Sequence, residues 1–280
     1  MPKTKEDRIN TVMGGGAHVV ILGAGASIAS TCRNSELNGK QLPSMDNFVD
    51  VVGLNDIIDS IPKELSAKNF EELYSNLHKD NPKSKEIIEI ERRVYDYFKD
   101  IKLPNEPTIY DHLVLSLRPR DLIATFNWDP FLFQAFNRNG KVADMPFMAF
   151  LHGTVALGYS KEDKRSGPAG MQMRKDGGYF EPTKLLYPVN KKDYNNDEFI
   201  SMEWDRLKYW LSEESTKLVT VFGYGAPDTD VEAVSLLDEA YGGKDSRNME
   251  QFEILDIQDQ KTVVERWDKF IHSHHYDYST

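Results

Sequence analysis

Residues Ala17 to Leu22 read AHVVIL, and Gly23-Ala24-Gly25-Ala26-Ser27 follows at once. An almost unbroken apolar run rich in β-branched residues and bounded by glycines reads as a strand covered on both faces, as in a parallel sheet. Glycines directly after such a strand let the backbone turn tightly into a helix, whose amides and dipole favour a bound phosphate. Many plain strand-to-helix turns also carry a lone G-x-G, and the third glycine of the usual dinucleotide fingerprint is absent. No apolar second strand ends in an acid about 20 residues onward, as ordinary hydride-transfer enzymes require. Asp46 stands near that distance as the one acidic candidate, but within Pro43-Ser44-Met45-Asp46-Asn47-Phe48, which is not a strand.

Further runs of the same kind follow. LIATF (122–126) ends in Asn127-Trp128-Asp129-Pro130, FMAFL (147–151) in His152-Gly153, and LVTVF (218–222) in Gly223-Tyr224-Gly225. FEILDI (252–257) precedes a last helical pattern around 263–271. Helical patterns also follow Pro130, with Asp129 as its cap, and Asp230, with Asp228, Thr229 or Asp230 as its cap. Strands alternating with helices imply an α/β, Rossmann-like, doubly wound parallel sheet. The expected core covers about 17–32, 120–157 and 204–271 of a single domain over 1–280. Ile87, Ile90, Val94 and Phe98 recur every three or four residues, the stripe of one helix face in a helical insert over about 47–118. Residues 158–200 are Gly-rich and weakly periodic, which predicts an irregular excursion.

In doubly wound sheets ligands sit in the crevice beyond the carboxyl ends of the strands. The glycines and polar residues named above all occupy that position. Asn127 offers a neutral amide for a ribose hydroxyl or a water, although Asn and Asp at a strand end also serve plain turns and caps. His152 offers an imidazole, the side chain type best suited to accept a proton as a general base, and Gly153 beside it allows close approach; a strand-end histidine also serves structure alone. Gly223-Tyr224-Gly225 suits either a loop against a ligand or a tight turn.

Composition narrows the function classes. The net charge of -11 comes with no long run of Lys and Arg, so direct nucleic-acid binding is disfavoured. No stretch approaches the length of a spanning helix, and no apolar leader precedes the first strand, so no membrane partner and a cytoplasmic setting are expected. Cys32 is the single cysteine, which excludes a four-cysteine zinc site and an internal disulfide. His272, His274 and His275 read as a solvated tail, and Trp204, Leu207, Trp210 and Leu211 as core packing.

Taken together and in order, these motifs resemble the sirtuin superfamily, specifically the SIR2-like branch of bacterial anti-phage defence proteins. Gly23-Ala24-Gly25-Ala26-Ser27 is similar to the family's phosphate loop. Thr125-Phe126-Asn127-Trp128-Asp129 is similar to its Thr-Gln-Asn-Ile-Asp motif, and Leu151-His152-Gly153 to the His-Gly of its catalytic histidine. The stretch 223–230 is similar to the branch's Gly-Tyr-Ser-x-Pro-x-Thr-Asp element, with Gly225 in place of the serine. The resemblance implies NAD as substrate, hydrolysed to nicotinamide and ADP-ribose, with no metal. It assigns Asn127 and His152 as catalytic and Gly23, Ala24, Gly25, Ala26, Ser27, Asp129, Gly223 and Tyr224 to the dinucleotide; Asp46 is added as a cofactor candidate by its spacing alone. Classical sirtuins hold a zinc with four cysteines, which this chain lacks, so lysine deacylation is disfavoured. A non-catalytic NAD or ADP-ribose sensor, a deacylase and an ADP-ribosyltransferase remain the alternatives. The resemblance also implies restraint by a homo-oligomer or by a partner such as a HerA-type ATPase or an Argonaute-type protein.

Overall fold

The computed structural model describes residues 16–31, 40–171, 173–189, 196–212, 216–225, 230–242, 251–270 and 275–279. Strand β1 (Ala17–Leu22) runs straight into α1 (Ala24–Ser30). The insert follows as α2 (Phe48–Val52), α3 (Asn55–Ser60), α4 (Phe70–Asp80), α5 (Lys85–Lys99) and α6 (Ile109–Ser116). The chain returns through β2 (Leu122–Thr125), α7 (Phe131–Asn139) and β3 (Phe147–Phe150). Next come β4 (Leu157–Ser160), β5 (Arg165–Pro168) and β6 (Glu181–Pro182), then α8 (Glu198–Ser212). The last elements are β7 (Thr216–Phe222), α9 (Val231–Tyr241), β8 (Gln251–Leu255), α10 (Gln260–Trp267) and β9 (His275–Ser279).

Six strands form one sheet in the order β3-β2-β1-β7-β8-β9, every pair parallel. This is the doubly wound α/β architecture expected from the strand–helix alternation. From β1 the chain winds outward one way through β2 and β3, then crosses back and winds the other way through β7, β8 and β9. The reversal lies between β1 and β7, and a crevice opens at such a switch point. The register levels the strand ends there: Leu22 pairs with Thr125 and with Phe222, Thr125 with Phe150, and Phe222 with Leu255. The residues just past that row are therefore forced side by side.

The strands are apolar because both faces are covered: Val19, Val20, Ile21 and Leu22 are all buried, as are Leu122, Ile123 and Ala124. The β3 edge is closed by side chains of α8. Glu203 Oε2 accepts from the Phe150 amide at 2.7 Å, and Arg206 donates to the Met148 carbonyl at 2.7 Å. Those groups would otherwise form an open edge. The insert seats the expected stripe Ile87, Ile90, Val94 and Phe98 inward. Phe48 stacks on Phe70 at 4.0 Å, and Phe98 meets Trp128 edge-on at 5.9 Å, which fixes the insert against the sheet end.

Three expectations change. The excursion over 158–200 contains a small antiparallel sheet, β5-β4-β6, and α8 already begins at Glu198. Its strands are two to four residues long and hold Gly158, Gly167, Pro168 and Pro182, too short and too broken for a period of two to show. Pro130 takes the N-cap position of α7 and Phe131 the first helical one, one residue later than read. The expected tail contains β9, whose HYDYS pairs with β8; polar residues conceal this edge strand. His272, His274 and Cys32 lie outside the described residues. Trp204, Leu207 and Leu211 are core as expected, and Trp210 is half-buried.

Candidate functional site

A cleft of about 310 Å³ opens at the switch point. That volume is in the range of small-ligand pockets. Most of its walls come from strand ends and from the insert side. Gly23, Ala24 and Ser27 follow β1, Asn127, Trp128 and Asp129 follow β2, and His152 follows β3. Gly223, Tyr224, Gly225 and Asp230 follow β7, and Gln258 follows β8. Leu42, Pro43, Met45, Phe48 and Phe98 close the side toward the insert, and Arg266 of α10 stands on the opposite side. Arg266 carries the only Lys or Arg charge among the described lining residues.

The two glycine turns are pressed together. The Gly25 amide donates to the Gly223 carbonyl at 3.0 Å and the Gly23 amide to the Phe222 carbonyl at 3.0 Å. A Cβ on Gly23 would lie 2.4 Å from the Gly223 carbonyl oxygen. At Gly223, φ is +61° and a Cβ would lie 2.4 Å from the Ala26 amide nitrogen, so both contact and conformation require glycine there. Gly25 and Ala26 are not among the lining residues and form the layer behind the cleft wall.

Asn127 is held by its amide nitrogen, which donates to the Gly23 carbonyl at 2.7 Å and to Ser27 Oγ at 2.9 Å. The Gly23 carbonyl can only accept, so the amide atom facing it must be the nitrogen, and Oδ1 remains as the acceptor for a hydroxyl or a water. Ser27 donates to Asp129 Oδ2 at 2.7 Å, and Asp129 Oδ1 accepts from the Phe131 amide at 3.0 Å. Both carboxylate oxygens of Asp129 thus hold the protein together, and Ser27 links Asp129 to Asn127. With the Ser27 proton committed, Tyr110 donates to Ser27 Oγ at 2.8 Å, and Asn127 also donates to the Tyr110 oxygen at 3.3 Å. Burial, then the neighbouring Asp129 charge, pushes the Tyr110 phenol up and keeps it a neutral donor.

Burial pushes the Asp129 carboxyl up to about 6, against the lowering pull of the Ser27 hydroxyl and the Phe131 amide. A folded-state value above the unfolded one means that the folded chain binds the proton more tightly, so stability from this group falls as pH rises from about 4 through 6. Asp129→Asn removes that dependence. In urea unfolding the variant should gain roughly 2 kcal/mol relative to the native chain between about pH 4.5 and 7. A difference that is flat or shrinks with rising pH would contradict the assignment. Tyr110→Phe should cost about 1 kcal/mol in the same assay, the net worth of one buried hydrogen bond; a neutral change would remove Tyr110 from the network.

His152 is buried, and its backbone is pinned by the Leu186 amide donating to its carbonyl at 2.9 Å. Its Nε2 lies 3.4 Å from Asp230 Oδ2. Phe126 meets the imidazole edge-on at 4.8 Å and stacks on Tyr224 at 4.0 Å. Among the described residues the Tyr224 hydroxyl has no well-aligned hydrogen-bond partner, yet burial and then the adjacent Asp230 carboxylate, through its charge and as an acceptor, raise the phenol. The indole nitrogen of Trp128 is likewise buried without a partner among the described residues.

Of the residues singled out in the sequence, Gly23, Ala24, Ser27, Asn127, Asp129, His152, Gly223 and Tyr224 line this one cleft. Asp46 does not: its exposed carboxylate accepts from Asn69 Nδ2 at 3.2 Å, while its neighbour Met45 lines the wall. Sequence reasoning missed Tyr110, which reaches the network from the insert, and Arg266 and Gln258 on the far wall. Asp230, read as a possible cap, makes no capping bond at the start of α9 and faces His152 instead. No signal in the sequence marks these pairings, since each joins segments far apart in the chain.

No family model and no curated protein matches the chain. Solved structures do match. A Sir2 homologue mutant in complex with ADP-ribose is 11% identical, with 96% of each chain covered and a TM-score of 0.45. Sir2 with the inhibitor EX-527, 2′-O-acetyl-ADP-ribose and a deacetylated p53 peptide is 12% identical, covering 98% of this chain and 92% of that one, TM-score 0.46. Sir2 with a p53 peptide and NAD+ is 15% identical, covering 99% and 92%, TM-score 0.40. Among the described residues no group of three or more His, Cys, Asp or Glu is arranged to hold a metal ion, and no helix is long and apolar enough to cross a membrane.

Proposed function

We propose that the chain binds NAD across this cleft and cleaves its nicotinamide–ribose bond, as a SIR2-like NAD hydrolase. One observation carries the reading: an anchored amide, an imidazole and two glycine turns, distant in sequence, share one crevice at the sheet's switch point. The positive end of α1 and the Arg266 guanidinium supply attraction for the pyrophosphate. The aromatic and aliphatic wall from the insert shelters the nicotinamide end from water.

The chemistry suits such a site. The leaving group is a cationic pyridinium that departs as neutral nicotinamide, so no acid must protonate it, in contrast to O-glycoside cleavage. Positioning and one base are then sufficient. Asn127 Oδ1 orients the attacking water or the ribose hydroxyls, and His152 takes a proton as an oxocarbenium-like centre forms at C1′. Unchecked turnover would drain cellular NAD, so the proposal includes restraint by self-assembly or a regulatory partner, in the setting of anti-phage defence.

The test is incubation of the purified chain with NAD, in each assembly state, with nicotinamide and ADP-ribose quantified. Equal yields of both without any acyl-peptide acceptor support hydrolysis. Release that requires an acylated peptide would identify a deacylase, and tight binding without release a sensor; either outcome overturns the proposal.

A further inference from the structure

Asp230 occupies the N-cap position of α9, where an Asp side chain ordinarily accepts from the first amides of its own helix. It makes no such bond. Its carboxylate is buried, 2% exposed, and lies 3.4 Å from His152 Nε2 on the cleft wall. Leaving a helix cap unmade and burying a carboxylate both carry a cost, and each is explained if the carboxylate serves the imidazole. We propose that Asp230 and His152 form a dyad in which Asp230 accepts the Nε2 proton, fixing the tautomer so that Nδ1 carries the reactive lone pair. This inference rests on the NAD-cleavage reading for its consequence in turnover, and on the structure alone for the tautomer.

The dyad completes the base step. As the water oxygen bonds to C1′, the C1′–N electron pair leaves with nicotinamide and neutralises the pyridinium. The water proton passes to Nδ1, and the imidazolium so formed is held against the Asp230 carboxylate until it loses that proton to solvent. Asp230 touches no reacting atom in this scheme and is a positioning residue. Among the described residues, those facing the imidazole include Asp230 from the start of α9, the Phe126 ring after β2 and, one ring beyond, Tyr224 after β7. Asp129 and Glu71 are the other carboxylates on the cleft wall.

Two measurements on the full chain decide it. The first needs no activity: two-bond ¹H–¹⁵N spectra of protein labelled at histidine, with the His152 signals identified by their loss in His152→Ala. The Nε2–H tautomer is expected in the native chain, with a mixed population and a lower imidazole pKa in Asp230→Asn. A native Nδ1–H tautomer, or spectra unchanged by the substitution, would overturn the dyad. The second is kinetic. Asp230→Asn should lower kcat about 10²-fold while KM stays within about threefold, because the carboxylate acts in the transition state and not in binding. A retained kcat, or a change confined to KM, would overturn the catalytic role. If the native chain releases no nicotinamide, the functional reading fails by itself and the spectra still judge the dyad.

Discussion

His152→Ala is expected to abolish most nicotinamide release, with kcat lowered by about 10²–10⁴-fold, the contribution typical of a positioned general base. KM should change far less, since the imidazole acts on a proton that moves only as the bond breaks. Asn127→Ala is expected to lose activity on a similar scale for a different reason. It removes both the acceptor that orients the nucleophile and the anchor to Gly23 and Ser27, so KM should rise as well. The split between the two variants, read from initial rates across NAD concentrations, separates a base from a positioning amide. Activity unchanged in both would remove these residues from the chemistry.

Gly153→Ala is expected to produce the largest stability loss of any glycine substitution at the site. Gly153 has φ of +76°, and a Cβ there would lie 1.9 Å from the Lys184 carbonyl oxygen, a backbone atom that cannot swing away. The left-handed conformation costs about 1–2 kcal/mol and the overpacking about 1–3 kcal/mol, together roughly 3 kcal/mol. In a chain of this size that lowers Tm by about 8 °C. Gly170→Ala is the matched comparison, because φ is +68° but nothing lies within 4 Å. Only the conformational part applies there, roughly 1 kcal/mol. Equal losses in the two variants would show that the Lys184 contact has no weight. Because Gly153 directly follows His152, this close contact is also what lets the histidine stand at the end of β3.

Such contacts mark the limit of what the sequence discloses. The strands β1, β2 and β7 are legible because burial on both faces leaves short apolar runs, and β3 and β8 because their runs are also mostly apolar; each run is closed by glycine or polar residues. The small sheet β5-β4-β6 is not, because its strands are too short to show alternation, and β9 is not, because an edge strand tolerates His and Asp. The site follows the same division. The residues at strand ends are readable, since a doubly wound sheet aligns those ends whatever the intervening sequence. Tyr110 lies 83 positions from Ser27, and their bond depends on how the insert folds back onto α1. Asp230 reads as a helix cap because it stands just before a helical pattern, yet it makes no capping bond and its carboxylate meets His152, a partner set by register across the sheet. Asp46 shows the converse: its spacing from the glycines made it an acidic candidate, but no strand delivers it, and it lies outside the residues lining the cleft.

The most direct test is a crystal structure of His152→Ala grown with NAD, where removal of the base lets the intact dinucleotide persist. NAD is expected to lie across the crevice between the 23–27 turn and the 223–225 turn, with the nicotinamide ribose within hydrogen-bond reach of Asn127 Oδ1. A dinucleotide bound elsewhere on the chain, or a cleft that stays empty at saturating NAD, would contradict it.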